Sequence, residues 1–282
     1  MRIAIASGKG GTGKTTIATN LAYWLRECGE AVHYLDCDVE APNGHLFLKP
    51  ALDKPAAAVI PTPIIDDAAC TACGACVRFC AYNALARLGD LVIVVPELCH
   101  GCGGCARVCP SGAITETQRV IGETERGASD AIVFSHGALS IGEAMSPPLI
   151  RAVLNHAAGE HIEIIDAPPG TSCPVIAAIR DADFVVLVTE PTPFGLSDLD
   201  LALAMVRELA LPHGVVINRA EPDVADARVF CELRGARVLA EIGDNRSIAE
   251  AYSRGEMIID AVPDVREQFS RLWNALSRQV RT

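Results

Sequence analysis

Short apolar runs alternate along this chain with longer stretches whose apolar positions recur every three to four residues. The first pattern predicts buried strands, the second amphipathic helices. A run over 2–6 precedes a helical stretch marked by Ile17, Leu21, Trp24 and Leu25, and a second strand is expected over 32–35. Further strands are expected over 130–135, 162–166, 184–189, 215–218 and 238–242. The 184–189 run is unbroken, as a parallel strand buried on both faces requires. A helix is expected from Ser146, as N-cap before Pro147 and Pro148, to about Ala158. Others are expected over 196–209, 248–253 and 263–280. This alternation predicts an α/β fold: a doubly wound, mostly parallel sheet with ligands at the carboxyl ends of its strands. Pro50, Pro55, Pro61 and Pro63 interrupt the pattern and read as a linker.

The 282 residues are 50% hydrophobic, enough for a large core. No run of about 18 apolar residues occurs, so no transmembrane helix is expected. With a strand beginning at residue 2, no secretory leader is expected, and the location expected is the cytoplasm. In a reducing compartment the twelve cysteines read as metal ligands more than as disulfides. A net charge of −11 disfavours nonspecific nucleic-acid binding, so no nucleic-acid partner is expected.

Between the first strand and its helix lies Gly8-Lys9-Gly10-Gly11-Thr12-Gly13-Lys14-Thr15-Thr16. Strand, glycine-rich turn and helix form the context of a phosphate-binding loop. Backbone N–H groups curl around phosphate there, and the helix N-terminus adds partial positive charge. Lys14 is placed to reach the β- and γ-phosphates and Thr15 to coordinate Mg²⁺, so ATP and Mg²⁺ are the expected ligands.

A cysteine phrase occurs twice: Cys70, Cys73, Cys76, Cys80, and 29 residues later Cys99, Cys102, Cys105, Cys109, the last followed by Pro110. Zinc sites and a disulfide framework are alternatives, but zinc pairs usually come as separated C-x2-4-C units. The phrase resembles that of bacterial two-cluster ferredoxins, with Ala81 where the second copy has Pro110. The resemblance implies two 4Fe–4S clusters with exchanged fourth ligands. One would take Cys70, Cys73, Cys76 and Cys109, the other Cys80, Cys99, Cys102 and Cys105. Residues 61–118 are therefore expected to be an α+β ferredoxin unit inserted into one ATPase domain formed by 1–60 and 119–282. Residues 62–118 carry five acidic and three basic residues, and each cube adds negative charge, so a partner docking there should offer a basic face.

Lys9 inside the loop resembles the second lysine of the deviant Walker A motif in the MinD, ParA, Mrp and nitrogenase iron protein superfamily. The resemblance extends to Asp36-Cys37-Asp38 (switch I), Asp166-Ala167-Pro168-Pro169-Gly170 (switch II) and Asn218-Arg219, and to the segments 188–195 and 248–255. It implies a homodimer, or a heterodimer with a related ATPase, in which Lys9 crosses to the partner's nucleotide. It implies that Asp38 orients the attacking water, that Asp38 and Asp166 lie at Mg²⁺, that the Gly170 N–H lies near the γ-phosphate, and that Asn218 and Arg219 lie beside adenine.

Cys173 resembles the cysteine that holds a bridging cluster in the nitrogenase iron protein; a small buried thiol is the alternative. Cys28, Cys37 and Cys231 read as structural, and His100 as a residue that tunes or shields a cluster. Val265, Phe269, Leu272, Trp273, Leu276 and Val280 stripe the last helix, a pattern of core packing with membrane binding as the alternative. The function expected is ATP-gated electron transfer through the clusters. The alternatives are a cluster assembly or carrier ATPase and a positioning ATPase with redox-sensing clusters.

Overall fold

The computed structural model describes residues 1–157, 159, 161–220 and 224–280. Its strands are β1 (Arg2–Ala6), β2 (Val32–Asp36), β3 (Ala51–Leu52), β4 (Ala56–Ile65), β5 (Leu85–Leu88), β6 (Leu91–Val94), β7 (Ile114–Ser129), β8 (Ile132–Leu139), β9 (Ile162–Asp166), β10 (Phe184–Thr189), β11 (His213–Ala220) and β12 (Val238–Gly243). Among the described residues, ten of them form one sheet in the order β12-β11-β10-β1-β9-β2-β8-β7-β3, with β4 also on β7. From β12 to β8 every neighbouring pair is parallel.

Alternate residues of the central strands feed two cores. Ala4, Leu35, Ile165 and Val185 face one helical layer, which includes Ser146–Leu154 and Pro193–Glu208. Ile3, Tyr34, Ile164 and Val186 face the other, with Lys14–Glu27 and Pro263–Val280. Helices on both faces make this the doubly wound α/β architecture expected from the pattern. In the last helix Val265, Phe269, Leu272 and Leu276 are buried in that second core and Trp273 packs against it; the Val280 side chain lies outside the described residues. Among the described residues, no helix is long and apolar enough to cross a membrane.

Three expectations change. The proline-rich stretch is not a linker: Pro61 and Pro63 lie inside β4, a strand in antiparallel register with β7 from Ala56↔Thr124 to Ile65↔Ile114. β4 pairs with β7 alone, and prolines two residues apart direct both missing N–H groups to the free edge. The strand expected over 130–135 runs from Ile132 to Leu139, because Asp130, at φ 49°, makes the turn of the β7–β8 hairpin. Ser146 is the first helical residue and not the N-cap; its hydroxyl donates to Glu40 Oε1 at 3.2 Å. That helix closes at Leu154, and the expected end at Ala158 lies outside the described residues. The helices Cys173–Ile179 and Ala225–Leu233 were not expected.

The β4–β7 ribbon joins two cores. At its root Ala58, Ile60 and Ile121 belong to the main core. At its tip Ile114, with Cys76, Leu85, Val92 and Cys105, forms a separate small core. The residue limits 60/61 and 118/119 fall within paired strands, with Ile60 opposite Arg119. Within the tip unit the 29-residue repeat recurs in three dimensions. Gly74 and Gly103, at φ 73° and 68°, precede the short helices Ala75–Phe79 and Gly104–Arg107, and β5 begins 29 residues before β7.

Candidate nucleotide and thiol sites

β1 ends at Ala6 in the middle of the sheet, and the loop that follows turns into the helix Lys14–Glu27. Gly13, at φ 90°, sets that entry, and a Cβ there would stand 2.3 Å from Asn218 Nδ2. Only glycine meets both demands. The Asn218 amide donates to the Thr12 carbonyl at 2.8 Å, so the end of β11 fastens the loop. Gly10, Gly11, Gly13, Lys14, Thr15, Thr16, Asp38, Asn218 and Arg219 line one cavity of about 350 Å³, within the range of small-molecule sites. Gly8, Lys9 and Thr12 lie in the loop without lining that cavity, and neither Asp166 nor Gly170 lines it. The Gly170 N–H donates to the Ser7 carbonyl at 3.0 Å.

Three carboxylates crowd the ends of β2 and β9. Asp36 and Asp166 are register partners and fully buried. Burial, then the Asp166 charge, pushes the Asp36 carboxyl well above the usual range. Asp36 accepts backbone N–H groups from Asp38, Asn43 and Gly44, at 3.2, 3.1 and 2.8 Å, and so shapes the segment that carries Asp38. Burial and the Asp166 charge also push Asp38 up to about 6, against the pull of Lys14. Asp166 is raised by burial and restrained by the Thr15 hydroxyl and the Lys14 ammonium. Its Oδ2 accepts from Tyr34 at 2.9 Å, while its buried Oδ1 has no partner. An unpaired carboxylate oxygen among mutually repelling acids, beside a threonine hydroxyl, suits a divalent cation.

The far wall of the cavity escaped sequence reasoning as a site. It consists of Gly243, Asp244, Asn245, Ile248, Ala249 and Tyr252, at the carboxyl end of β12 and on the helix Arg246–Ser253. Their position after a predicted strand was the available signal. Asp36, named in the sequence only as part of the switch I resemblance, acts through backbone bonds that the motif does not specify.

The eight repeated cysteines divide between two further cavities. Cys80, Cys99, Cys102 and Cys105 line one of about 180 Å³, with Pro61, Pro63, Phe79 and Tyr82. Cys70, Cys73, Cys76 and Cys109 line a tighter one of about 10 Å³, with Ile65, Val92 and Ile114. The fourth thiol of each set comes from the other copy of the repeat. None of the twelve cysteines is joined in a disulfide. Among the described residues no three Cys, His, Asp or Glu side chains converge on a single metal ion. His100 stacks on Tyr82 with centroids 3.3 Å apart, at the wall of the larger cavity. Cys173 is exposed, against the alternative of a small buried thiol, and so is Cys28; Cys37 and Cys231 are buried.

A central strand, a glycine loop gripping a helix N-terminus and carboxylates at neighbouring strand ends define a phosphate-loop nucleotide-binding protein. The chain matches the CbiA family, the CobQ/CobB/MinD/ParA nucleotide binding domain, over residues 3–258, and it belongs to that family of ATPases. It is 30% identical over 271 residues to an uncharacterized protein of Methanocaldococcus jannaschii, covering 92% of this chain and 91% of that one. It is 25% identical over 308 residues to the iron-sulfur cluster carrier protein of Aquifex aeolicus, covering 99% of this chain and 67% of the carrier. Its fold is similar to that of the septum site-determining protein MinD of Pyrococcus horikoshii, solved with Mg-ADP. The TM-score is 0.59 at 20% identity, over 96% of this chain and 93% of that one.

Proposed function

We propose that this chain is a Mg²⁺-dependent ATPase that holds two 4Fe–4S clusters at the tip of its ribbon and serves in assembling or delivering iron–sulfur clusters. Lys14 and the loop from Gly8 to Thr16 would bind the phosphates, with Asn218 and Arg219 toward the base. Thr15, Asp38 and Asp166 would hold Mg²⁺, and Asp38 would also orient the attacking water, since phosphoryl transfer is catalysed mainly by positioning. Lys9 would act on the nucleotide of a partner subunit.

One observation carries the cluster assignment: two separate cavities, each walled by four thiols in the exchanged combination that interlocked cubes require. Four thiolates on four different irons stand further apart than four ligands of one ion, which fits the lack of a single-ion site among the described residues. Bound there, cubes supply one-electron redox chemistry. The delivery role is supported by similarity to the Aquifex carrier along 99% of this chain.

A second reading, a nucleotide-gated electron donor, is favoured by the completeness of both four-thiol sets, which suits retention of a cube more than its release. Transfer separates the two. Anaerobically prepared protein is mixed with Mg-ATP and an apo-ferredoxin, the two are separated, and iron is measured in each. Delivery predicts ATP-dependent movement of iron to the acceptor. Retention of all iron, with reduction of a holo-ferredoxin by protein that has first been reduced with dithionite and desalted, overturns delivery in favour of the second reading.

A further inference from the structure

The two thiol cavities differ in what they touch. The wall of the Cys70, Cys73, Cys76 and Cys109 cavity comes wholly from the tip, between Ile65 and Ile114. The other cavity reaches down the ribbon to Pro61, Pro63 and Glu116. Cys99 Sγ lies 3.9 Å from the Pro61 carbonyl oxygen, and a Cβ on Gly101 would stand 3.1 Å from Pro61. The same Cβ would stand 3.2 Å from the Cβ of Ile60, which is buried in the main core of the ATPase body. This cavity therefore leans on the ATPase body and the first does not.

The same part of the body is tied to the nucleotide-facing segment. The Val39 carbonyl accepts from the Leu139 N–H at 2.9 Å, and Glu40 Oε1 accepts from Ser146 Oγ at 3.2 Å. Residues 139–146, gripped at both ends by the segment that carries Asp38, are gripped in the middle by the ribbon. The Ser140 N–H donates to the Ile121 carbonyl at 3.0 Å, and Arg119 forms an ion pair with Glu143. The Glu143 side chain is 4% exposed, and its Oε1 also accepts the Met145 N–H at 3.0 Å. Arg119 is opposite Ile60, the neighbour of Pro61. A half-buried ion pair has few alternative arrangements, because separating it leaves the Glu143 carboxylate, largely shielded from water, without its counter-charge. The loop and the ribbon therefore move together.

We infer that residues 139–146 couple the nucleotide site to the inserted unit, and that the Cys80, Cys99, Cys102 and Cys105 site is the one that responds while the other stays indifferent. The inference rests on the ATPase reading proposed above. Differential binding of ATP and ADP by the segment 38–44 would bias the loop, and the loop would shift the ribbon under one cavity.

Hydrogen exchange of the anaerobic holoprotein, read by mass spectrometry with Mg-ADP and with a slowly hydrolysed ATP analogue, tests this without measuring activity. In the wild type the analogue should change exchange at 38–44, 119–121 and 99–105 and leave 70–76 unchanged. Glu143→Gln should keep the response at 38–44 and cut that at 99–105 by about threefold or more, the scale on which residues along a coupling path act. Ser146→Ala, which strands no buried charge because Glu40 is exposed to water, should do the same and decides the matter if the first variant fails to fold. A response at 38–44 without one at 99–105, an equal response at 70–76, or variants that behave as wild type would overturn the coupling alone. Silence at 38–44 would overturn the nucleotide reading, and the coupling with it.

Discussion

The Lys9 ammonium lies 3.4 Å from Glu190 Oε2, while the other oxygen of Glu190 accepts from Arg219 at 2.5 Å. Glu190 thus holds the lysine assigned to a partner's nucleotide against its own chain. The Lys9 side chain is 33% exposed, so solvent weakens the pair to at most about 1 kcal/mol. Glu190→Gln should free Lys9 and lower the protein concentration needed for ATP-dependent dimerisation by about two- to fivefold. Lys9→Ala should keep most nucleotide binding and lose closure. Light scattering with Mg²⁺ and an ATP analogue reads both, with nucleotide affinity measured in parallel because Arg219 lines the nucleotide cavity.

Asp166 Oδ1 is buried and without a partner. Asp166→Asn should leave nucleotide binding in the presence of a chelator nearly intact, while Mg²⁺-stimulated hydrolysis falls by about a hundredfold or more, as expected when charge stabilisation of phosphoryl transfer is removed. Titration of a fluorescent nucleotide with and without Mg²⁺, beside phosphate release, checks it. Undiminished Mg²⁺ stimulation would move the cation elsewhere.

His33 is buried, with Nε2 2.9 Å from Ser135 Oγ. Burial first, then Arg126, His161 and His156, lowers its pKa to about 4. An unfolded histidine titrates near about 6.5. Below that pH the unfolded chain takes up a proton that the folded chain refuses, so stability falls as pH drops from about 6.5 toward about 4. Between pH 7.5 and 5.5 this residue should cost about 1.4 kcal/mol, a share absent from His33→Gln. Urea unfolding of both proteins at the two pH values measures it; parallel losses would refute the assignment.

Phe269 is fully buried on the last helix. Phe269→Ala should lower stability by about 3–5 kcal/mol through the cavity it leaves, and should change no affinity for anionic vesicles. Urea unfolding and vesicle sedimentation separate this from membrane anchoring, which would show the reverse.

Much of the fold was legible because period and chemistry agreed. The apolar run at 184–189 and the stripe from Val265 to Leu276 each announce their burial, and Lys14, singled out by the loop motif, lines one cavity with Asp38 and Asn218, singled out by the family resemblance. The ribbon was hidden because Pro61 and Pro63 look like strand breakers until an unpaired edge accommodates their missing N–H groups. The wall formed by Asp244, Asn245 and Tyr252 was hidden because it becomes a site only when β12 lies beside β11. Asp36 acts through backbone bonds to residues 38, 43 and 44, and Glu143 through its ion pair with Arg119, contacts that leave no periodic trace.

Iron and sulfide counts, with electron paramagnetic resonance after dithionite reduction, on anaerobically purified wild type, Cys80→Ala and Cys109→Ala test the cluster assignment most directly. The wild type should hold about eight iron and eight sulfide per chain. Each variant should lose one cube, and the resonance that survives in Cys80→Ala should be the one lost in Cys109→Ala, because the two thiols line different cavities. Zinc in place of iron, a single cluster per wild-type chain, or loss of the same resonance from both variants would contradict the account.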